Sequence, residues 1–205
     1  MLKKILNFGP LFVIIAAILW SADGILRISL YSLPPEVVVF YEHLLGAFLL
    51  LFLIKKWFSD LRKMTRKEWL VIGLVSLFSG ALGTILYTAA LSFINYSQYS
   101  VVVLLVQQMQ PVWAILFAAL LLKEKIHKKF LFWASIALVS SYFVSFKDMT
   151  INLDTGRGTL YAALLALAAG FMWGSTTAFS KYVLNKVSFL TATVLRFFMA
   201  PFFAF

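Results

Sequence analysis

The stretch "AAILWSADGILRIS", Ala16–Ser29, lies in an apolar run long enough to cross a bilayer, yet it carries Asp23 and Arg27. Similar apolar runs recur along the whole chain, each about 17 to 25 residues long, which is the length that a membrane-spanning helix needs. The composition agrees, because 62% of the residues are hydrophobic and only 13% are charged, whereas soluble domains carry about 25% charged residues. The sequence therefore predicts an all-α polytopic membrane protein.

Hydropathy and helix-breaking residues divide the chain into seven predicted spans. Pro34-Pro35 separates the first two spans, and "TRKE", Thr65–Glu68, is a capping box that opens the third. The predicted spans are 11–31, 36–54, 69–93, 98–122, 130–146, 159–184 and 188–205.

Basic residues lie in clusters between these spans and favour one side of the membrane. Fourteen of the 18 Lys and Arg residues fall at the N-terminus or after spans two, four and six, so the positive-inside rule predicts a cytoplasmic N-terminus. Basic loops alternate between the two sides of the membrane in this way only if the first apolar run is a span. We therefore favour a retained span over a cleaved signal peptide. The excess of basic residues lies in the loops between spans rather than on one face of the protein. We therefore expect no nucleic-acid partner.

Catalytic and metal-binding residue types are scarce. The chain has no cysteine and only two histidines, His43 and His127, which excludes disulfides and thiolate chemistry and leaves too few ligands for a histidine cluster. The sequence shows no Ser/His/Asp set and no carboxylate pair at a catalytic spacing. We therefore expect no catalytic residue, metal or cofactor; an intramembrane enzyme and a structural membrane protein are the alternatives to a transporter.

The first two spans match the last two at an offset of 153 residues. Trp20 falls on Trp173 and His43 on Arg196, although only five of 42 positions are identical between 11–52 and 164–205. If span one corresponds to span six, each repeat holds five spans, and an odd number inverts the second copy in the membrane. Inverted repeats are typical of secondary transporters, whose substrate site lies near the midplane.

This offset predicts three regions. We interpret 1–146 as a first five-helix repeat, 147–158 as the inter-repeat loop and 159–205 as the start of a second repeat. The chain stops at "PFFAF" within an apolar run, so we expect the intact protein to continue for about 100 residues with three further spans.

Several motifs, in this order, resemble the drug/metabolite transporter superfamily and its EamA-like branch. They are "LWSADG" (19–24) with its counterpart "MWGSTT" (172–177), "YTAALSFI" (87–94) and "QQMQPVWAILFAALLLKEKI" (107–126). The resemblance implies a 5+5 inverted-repeat bundle that carries metabolites, amino acids or drugs across a cell membrane by alternating access. Its partners would be a small-molecule solute and the lipid bilayer, with a homodimer left open. His43 and Lys123 depart from the family pattern, which has Arg and Gly at these positions.

Four ionisable side chains fall within the first two predicted spans: Asp23, Arg27, Glu42 and His43. An intramembrane charge costs roughly 2.5–3.5 kcal/mol, so such groups usually face the interior and often mark pathways. Asp23, Glu42 and His43 are candidates for proton coupling or substrate binding, the alternative being a static salt bridge between helices. Asp23 and Arg27 can pair at i, i+4, although we expect Arg27 to snorkel to the outer interface.

Amides and indoles form a second group of candidates. Gln107 and Gln110 share a face of span four and would line a path for a polar substrate; the alternative is interhelical hydrogen bonding. Trp20 and Trp173 would wall a substrate pocket or pack in the core. The small residues of span three, Gly80 and Gly83 among them, predict close helix packing.

Overall fold

The computed structural model describes residues 9–30, 32–94, 99–145 and 156–205, with side chains at all of these except 99–108, 141–145, 156–157 and 159. The described residues form nine α-helices and no strand, which confirms the predicted all-α membrane bundle. The helices are α1 Gly9–Ser29, α2 Pro35–Leu50, α3 Ile54–Leu61, α4 Arg66–Val75, α5 Gly83–Ser92, α6 Tyr99–Leu121, α7 Lys128–Ser145, α8 Gly156–Leu184 and α9 Phe189–Ala204.

Two pairs of consecutive helices, α2 with α3 and α4 with α5, each form one continuous helical rod. Counting each of these pairs as one, the described residues form seven rods. A 3-10 turn, Leu51–Leu53, joins α2 to α3 and extends the second rod to Leu61, beyond the predicted end at 54. Within the described ranges, four helical stretches are long and apolar enough to cross a membrane: Gly9–Ser29, Pro35–Leu61, Arg66–Ser92 and Leu160–Leu184.

The third rod contains a π-helical segment, Ser76–Leu82, between α4 and α5. The wider turn changes the local backbone hydrogen bonding, and the Ser79 carbonyl accepts bonds from Trp173 Nε1 at 2.9 Å and Thr84 Oγ1 at 3.1 Å. Such π segments interrupt a regular helix and are frequent at functional sites. Hydropathy alone could not predict this one.

Helix α8 lies at the centre of one half of the bundle, where it packs against α5 and α6. Its small residues Ala162, Ala166 and Ala169 are fully buried in this contact region. Helix α9 packs against α2 and the π segment. A Cβ added at Gly80 would lie 2.8 Å from Ala200 Cβ, and one at Gly83 would lie 2.6 Å from Trp173 Nε1, which confirms the predicted close packing of span three.

The ends of several rods are held together by polar contacts. The predicted capping box is present, with the Thr65 backbone N–H donating to Glu68 Oε2 at 2.6 Å. Asp60, which the sequence did not single out, accepts bonds from the Ser188 backbone N–H at 3.1 Å and Thr191 Oγ1 at 2.8 Å. Asp60 thereby fixes the end of α3 to the start of α9.

Lys123 follows α6 in a left-handed conformation, with φ of 54°, and it is the sole non-glycine residue with positive φ in the part of the chain that the structure describes. The EamA-like pattern has glycine here, and glycine adopts this conformation without the steric cost that an L side chain incurs. The adjacent Glu124 pairs with Lys181 of α8.

We therefore expect Lys123→Gly to raise the free energy of unfolding by about 0.5–1 kcal/mol, because it relieves the left-handed strain. Thermal unfolding in detergent, followed by tryptophan fluorescence, measures this change. Lys125→Gly is the matched control, since that residue lies in the same turn without a positive φ and should give no gain. An unchanged or lower stability in Lys123→Gly would contradict the strain.

Candidate functional site

Arg27 lies at the centre of an ionic cluster that joins three helices. Its Nε donates to Asp23 Oδ2 at 2.7 Å, its Nη2 donates to Glu42 Oε2 at 2.6 Å, and its Nη1 donates to Thr88 Oγ1 at 3.0 Å. Only 6% of the Arg27 side chain is exposed. The predicted pairing with Asp23 is confirmed, but the predicted snorkelling of Arg27 is wrong. Charge-assisted hydrogen bonds to two carboxylates and a bond to a hydroxyl hold the guanidinium inside the bundle instead.

His43 follows Glu42 in the sequence, but its side chain contacts different residues from those that Glu42 contacts. Its side chain is buried, with Nδ1 3.0 Å from the Val39 carbonyl oxygen. The imidazole packs on Phe197 of α9, with 5.0 Å between the ring centroids. His43 therefore connects the ionic cluster on α1 and α2 to helix α9.

Arg196 of α9 has a very different environment from Arg27. Its Nε is buried and has no hydrogen-bond partner, and it forms no ion pair with any carboxylate that the structure describes. Its guanidinium carbon lies 5.6 Å from the Phe197 ring centroid. In the sequence, Arg196 was predicted only to be the counterpart of His43 in the second repeat. The missed signal was an arginine in an apolar span that contains no acidic residue.

The two candidate tryptophans touch each other. The rings of Trp20 and Trp173 meet edge to face with 5.6 Å between centroids, and Tyr87 lies 5.4 Å from Trp173. Trp173 is 8% exposed, whereas Trp20 is 47% exposed. The hydrogen bond to Ser79 fixes the Trp173 indole, and the three rings together form an aromatic wall.

These groups surround one cavity of about 480 Å³, lined by side chains from six of the seven rods. Six of the predicted site residues line it: Trp20, Asp23, Glu42, His43, Gln110 and Trp173. The side chain of Gln107 lies outside the described residues. Several further lining residues were not predicted from the sequence, namely Thr84, Tyr87, Thr176, Thr177, Ser180 and Arg196. Single hydroxyl residues in an apolar span carry little signal, because they are tolerated anywhere that a backbone carbonyl accepts their hydrogen.

The cavity combines charge, hydrogen-bonding groups and aromatic surface. Its lining includes two carboxylates and two guanidiniums, so their formal charges cancel. Within the described ranges, no group of three or more potential metal ligands comes together. Such a cavity is suited to holding a polar organic molecule with an aromatic part.

Comparison with protein families agrees with this architecture. Residues 7–146 match the EamA-like transporter family. The chain belongs to that family. The EamA-like region thus covers α1 to α7 and the cluster around Arg27, and the family membership that the sequence motifs predicted is confirmed. This family consists of multi-pass membrane transporters and is not an enzyme family.

Two curated proteins are similar to this EamA-like chain. The riboflavin transporter ImpX of Fusobacterium nucleatum is 39% identical over 193 residues, which are 93% of this chain and 64% of ImpX. The uncharacterized transporter sll1164 of Synechocystis is 28% identical over 169 residues, which are 77% of this chain and 45% of that protein. The chain therefore spans less than two thirds of the length of either relative. No solved structure gives a significant match.

Proposed function

We propose that this protein is a secondary transporter that moves a small organic solute across the cell membrane by alternating access. The observation that carries the proposal is the polar cavity of about 480 Å³ between six apolar rods. Ligand pockets commonly have volumes of about 300–1,000 Å³. Charged groups are costly within a membrane and usually mark a substrate or ion pathway.

The lining of the cavity supports the proposed inverted repeat. Residues related by the 153-residue offset face the same cavity in pairs: Trp20 with Trp173, Asp23 with Thr176, Arg27 with Ser180, and His43 with Arg196. The first of these pairs is in direct ring contact. A substrate site between two inverted halves is the arrangement that alternating access uses. In this proposal 1–146 is one repeat and 159–205 begins the other.

We propose riboflavin, or a closely related flavin, as the transported solute. The similarity to ImpX suggests this substrate, and the aromatic wall of Trp20, Trp173 and Tyr87 supports it, since aromatic side chains bind flat rings by stacking and edge contacts. Asp23 and Glu42 would bind the solute or a coupling proton. Gln110 and His43 would supply further hydrogen bonds.

Counterflow of labelled riboflavin in proteoliposomes tests this function. The wild-type protein should exchange riboflavin saturably, and a panel of amino acids and sugars should compete poorly with it. Asp23→Asn should lower the exchange rate at least about tenfold, in line with a lost charged contact, without loss of membrane insertion. Glu124→Gln removes an exposed carboxylate outside the cavity and should have no effect. Absence of riboflavin exchange in the wild-type protein would contradict the proposal.

The proposed orientation places the N-terminus in the cytoplasm. A cysteine at Ser32, exposed between α1 and α2, should react with an impermeant maleimide added to whole cells. A cysteine at Lys125, exposed between α6 and α7, should react only after the cells are opened. The chain has no native cysteine, so the labelling has no background from the protein. The reverse pattern would overturn the orientation.

A further inference from the structure

A groove on the surface of the bundle is separate from the cavity that holds the predicted site residues. It has a volume of about 360 Å³ and lies between α4, the end of α6 and α8. Its lining is apolar apart from the Lys67 side chain and the Tyr182 hydroxyl. The apolar lining residues are Leu70, Val71, Leu121, Leu122, Ala178 and Phe179. None of these residues lines the cavity beside Trp173, so transport of the solute does not account for the groove.

The groove has a buried floor and exposed walls. Val71 and Phe179 pack against the hydrophobic core between α4, α8 and α9, whereas Leu70 and Leu121 are exposed. The groove begins at the ends of the helices, because Lys67 lies in the first turn of α4 and α6 ends at Leu121. It thus extends from the end of the spans, where a membrane interface lies, into their apolar part.

The charge of Lys67 is not balanced by a carboxylate. Its side chain is exposed and forms no ion pair with any acidic residue that the structure describes. The neighbouring Glu68 is buried and accepts hydrogen bonds from Thr65 in the capping box. Glu124, just beyond the end of α6, pairs with Lys181. The groove therefore has a free cation at its end and apolar surface along its length.

Lys123 adds a second cation next to this groove. It directly follows the lining residue Leu122, it is exposed, and it also has no ion pair among the described carboxylates. Its φ of 54° is a conformation that glycine adopts at lower cost. Backbone strain of this kind persists most often at functional sites. The strained position thus carries a charged side chain at the end of the groove.

We propose that this groove binds an anionic phospholipid. One acyl chain lies against Leu70, Leu121 and Phe179, where burial of apolar surface is favourable, and the headgroup phosphate accepts hydrogen bonds from Lys67. Lysines next to membrane spans attract anionic lipids, and basic pockets between spans bind their headgroups. A soluble anion would leave the apolar groove empty, and a neutral lipid would leave Lys67 without a counter-charge. The bound lipid joins α4, α6 and α8 at one end of the bundle.

Native mass spectrometry of the wild-type protein tests this proposal. The protein is equilibrated in detergent with equal amounts of phosphatidylglycerol, which is anionic, and phosphatidylcholine, which is zwitterionic, both with the same acyl chains. It should retain phosphatidylglycerol at least about tenfold more than phosphatidylcholine, since each lysine near the headgroup contributes about fivefold. Lys67→Gln should lower this preference about fivefold. Leu70→Trp narrows the groove and should lower the retention of both lipids by the same factor.

Lys128→Gln is the matched control, because Lys128 is exposed at the start of α7 and does not line the groove. It removes the same charge and should keep the wild-type preference. Equal losses in Lys67→Gln and Lys128→Gln would overturn the site, since the lysines would then attract lipid only as a group. Equal retention of both lipids by the wild-type protein would also overturn it, and retention of neither would mean that another protein segment covers the groove. None of these outcomes depends on riboflavin exchange.

Discussion

Replacing Arg27 with methionine is expected to destabilise the protein by about 3–5 kcal/mol, the cost of removing one partner from a buried ionic group. The change leaves Asp23 and Glu42 without their shared cation and Thr88 without its donor. It also removes the contact by which Glu42 of α2 and Thr88 of α5 are fixed to α1. The unfolding midpoint in detergent, read by tryptophan fluorescence, should fall by many degrees.

The matched control neutralises the whole cluster. In a variant that combines Asp23→Asn, Arg27→Met and Glu42→Gln, no charged group of the cluster remains, and complete replacement of a buried ionic group often costs little. This triple variant should recover most of the stability that Arg27→Met loses. If Arg27→Met unfolds at the wild-type temperature, the cluster does not join the helices.

Replacing Gly174 with alanine is expected to cost about 2 kcal/mol, the range found for overpacking a tight contact. A Cβ at this position would lie 2.5 Å from the Gln110 backbone oxygen and 2.6 Å from Trp113 Cβ. Backbone atoms cannot turn away as the end of a flexible side chain can. Helices α6 and α8 would have to move apart at the level of the cavity.

Gly9→Ala is the control for this substitution, because a Cβ there meets no atom within 4 Å. The same chemical change should leave the stability unchanged or raise it slightly through helix propensity. Thermal unfolding of both variants under one set of conditions separates the two effects. A Gly174→Ala variant as stable as Gly9→Ala would show that the helices tolerate the added methyl group.

Much of the fold could be predicted from the sequence because membrane spans have a simple physical signature. A bilayer demands about 20 apolar residues per helix, so the seven rods follow from hydropathy. The capping box at Thr65 and Glu68 was predictable for a similar reason, since its contacts are local. The cost of intramembrane charge selected Asp23 and Glu42, and both line the cavity.

The remaining features depend on contacts between distant parts of the chain. Snorkelling was a reasonable expectation for Arg27 from its own helix, but Glu42 and Thr88, which bury it, come from other helices. The π segment is defined by backbone geometry that hydropathy does not record. Asp60 was missed because its partners, Ser188 and Thr191, are more than 120 residues away.

Calorimetric titration of riboflavin into the detergent-solubilised protein tests whether the cavity beside Trp173 binds the transported solute. Trp173→Ala should weaken riboflavin binding at least about tenfold, since an aromatic contact contributes on the order of 1 kcal/mol beyond its buried area. Trp133→Ala, at a 65% exposed position on α7 outside the cavity, should bind as the wild type does. Equal affinities in the wild type and in a folded Trp173→Ala variant would show that riboflavin does not bind in this cavity.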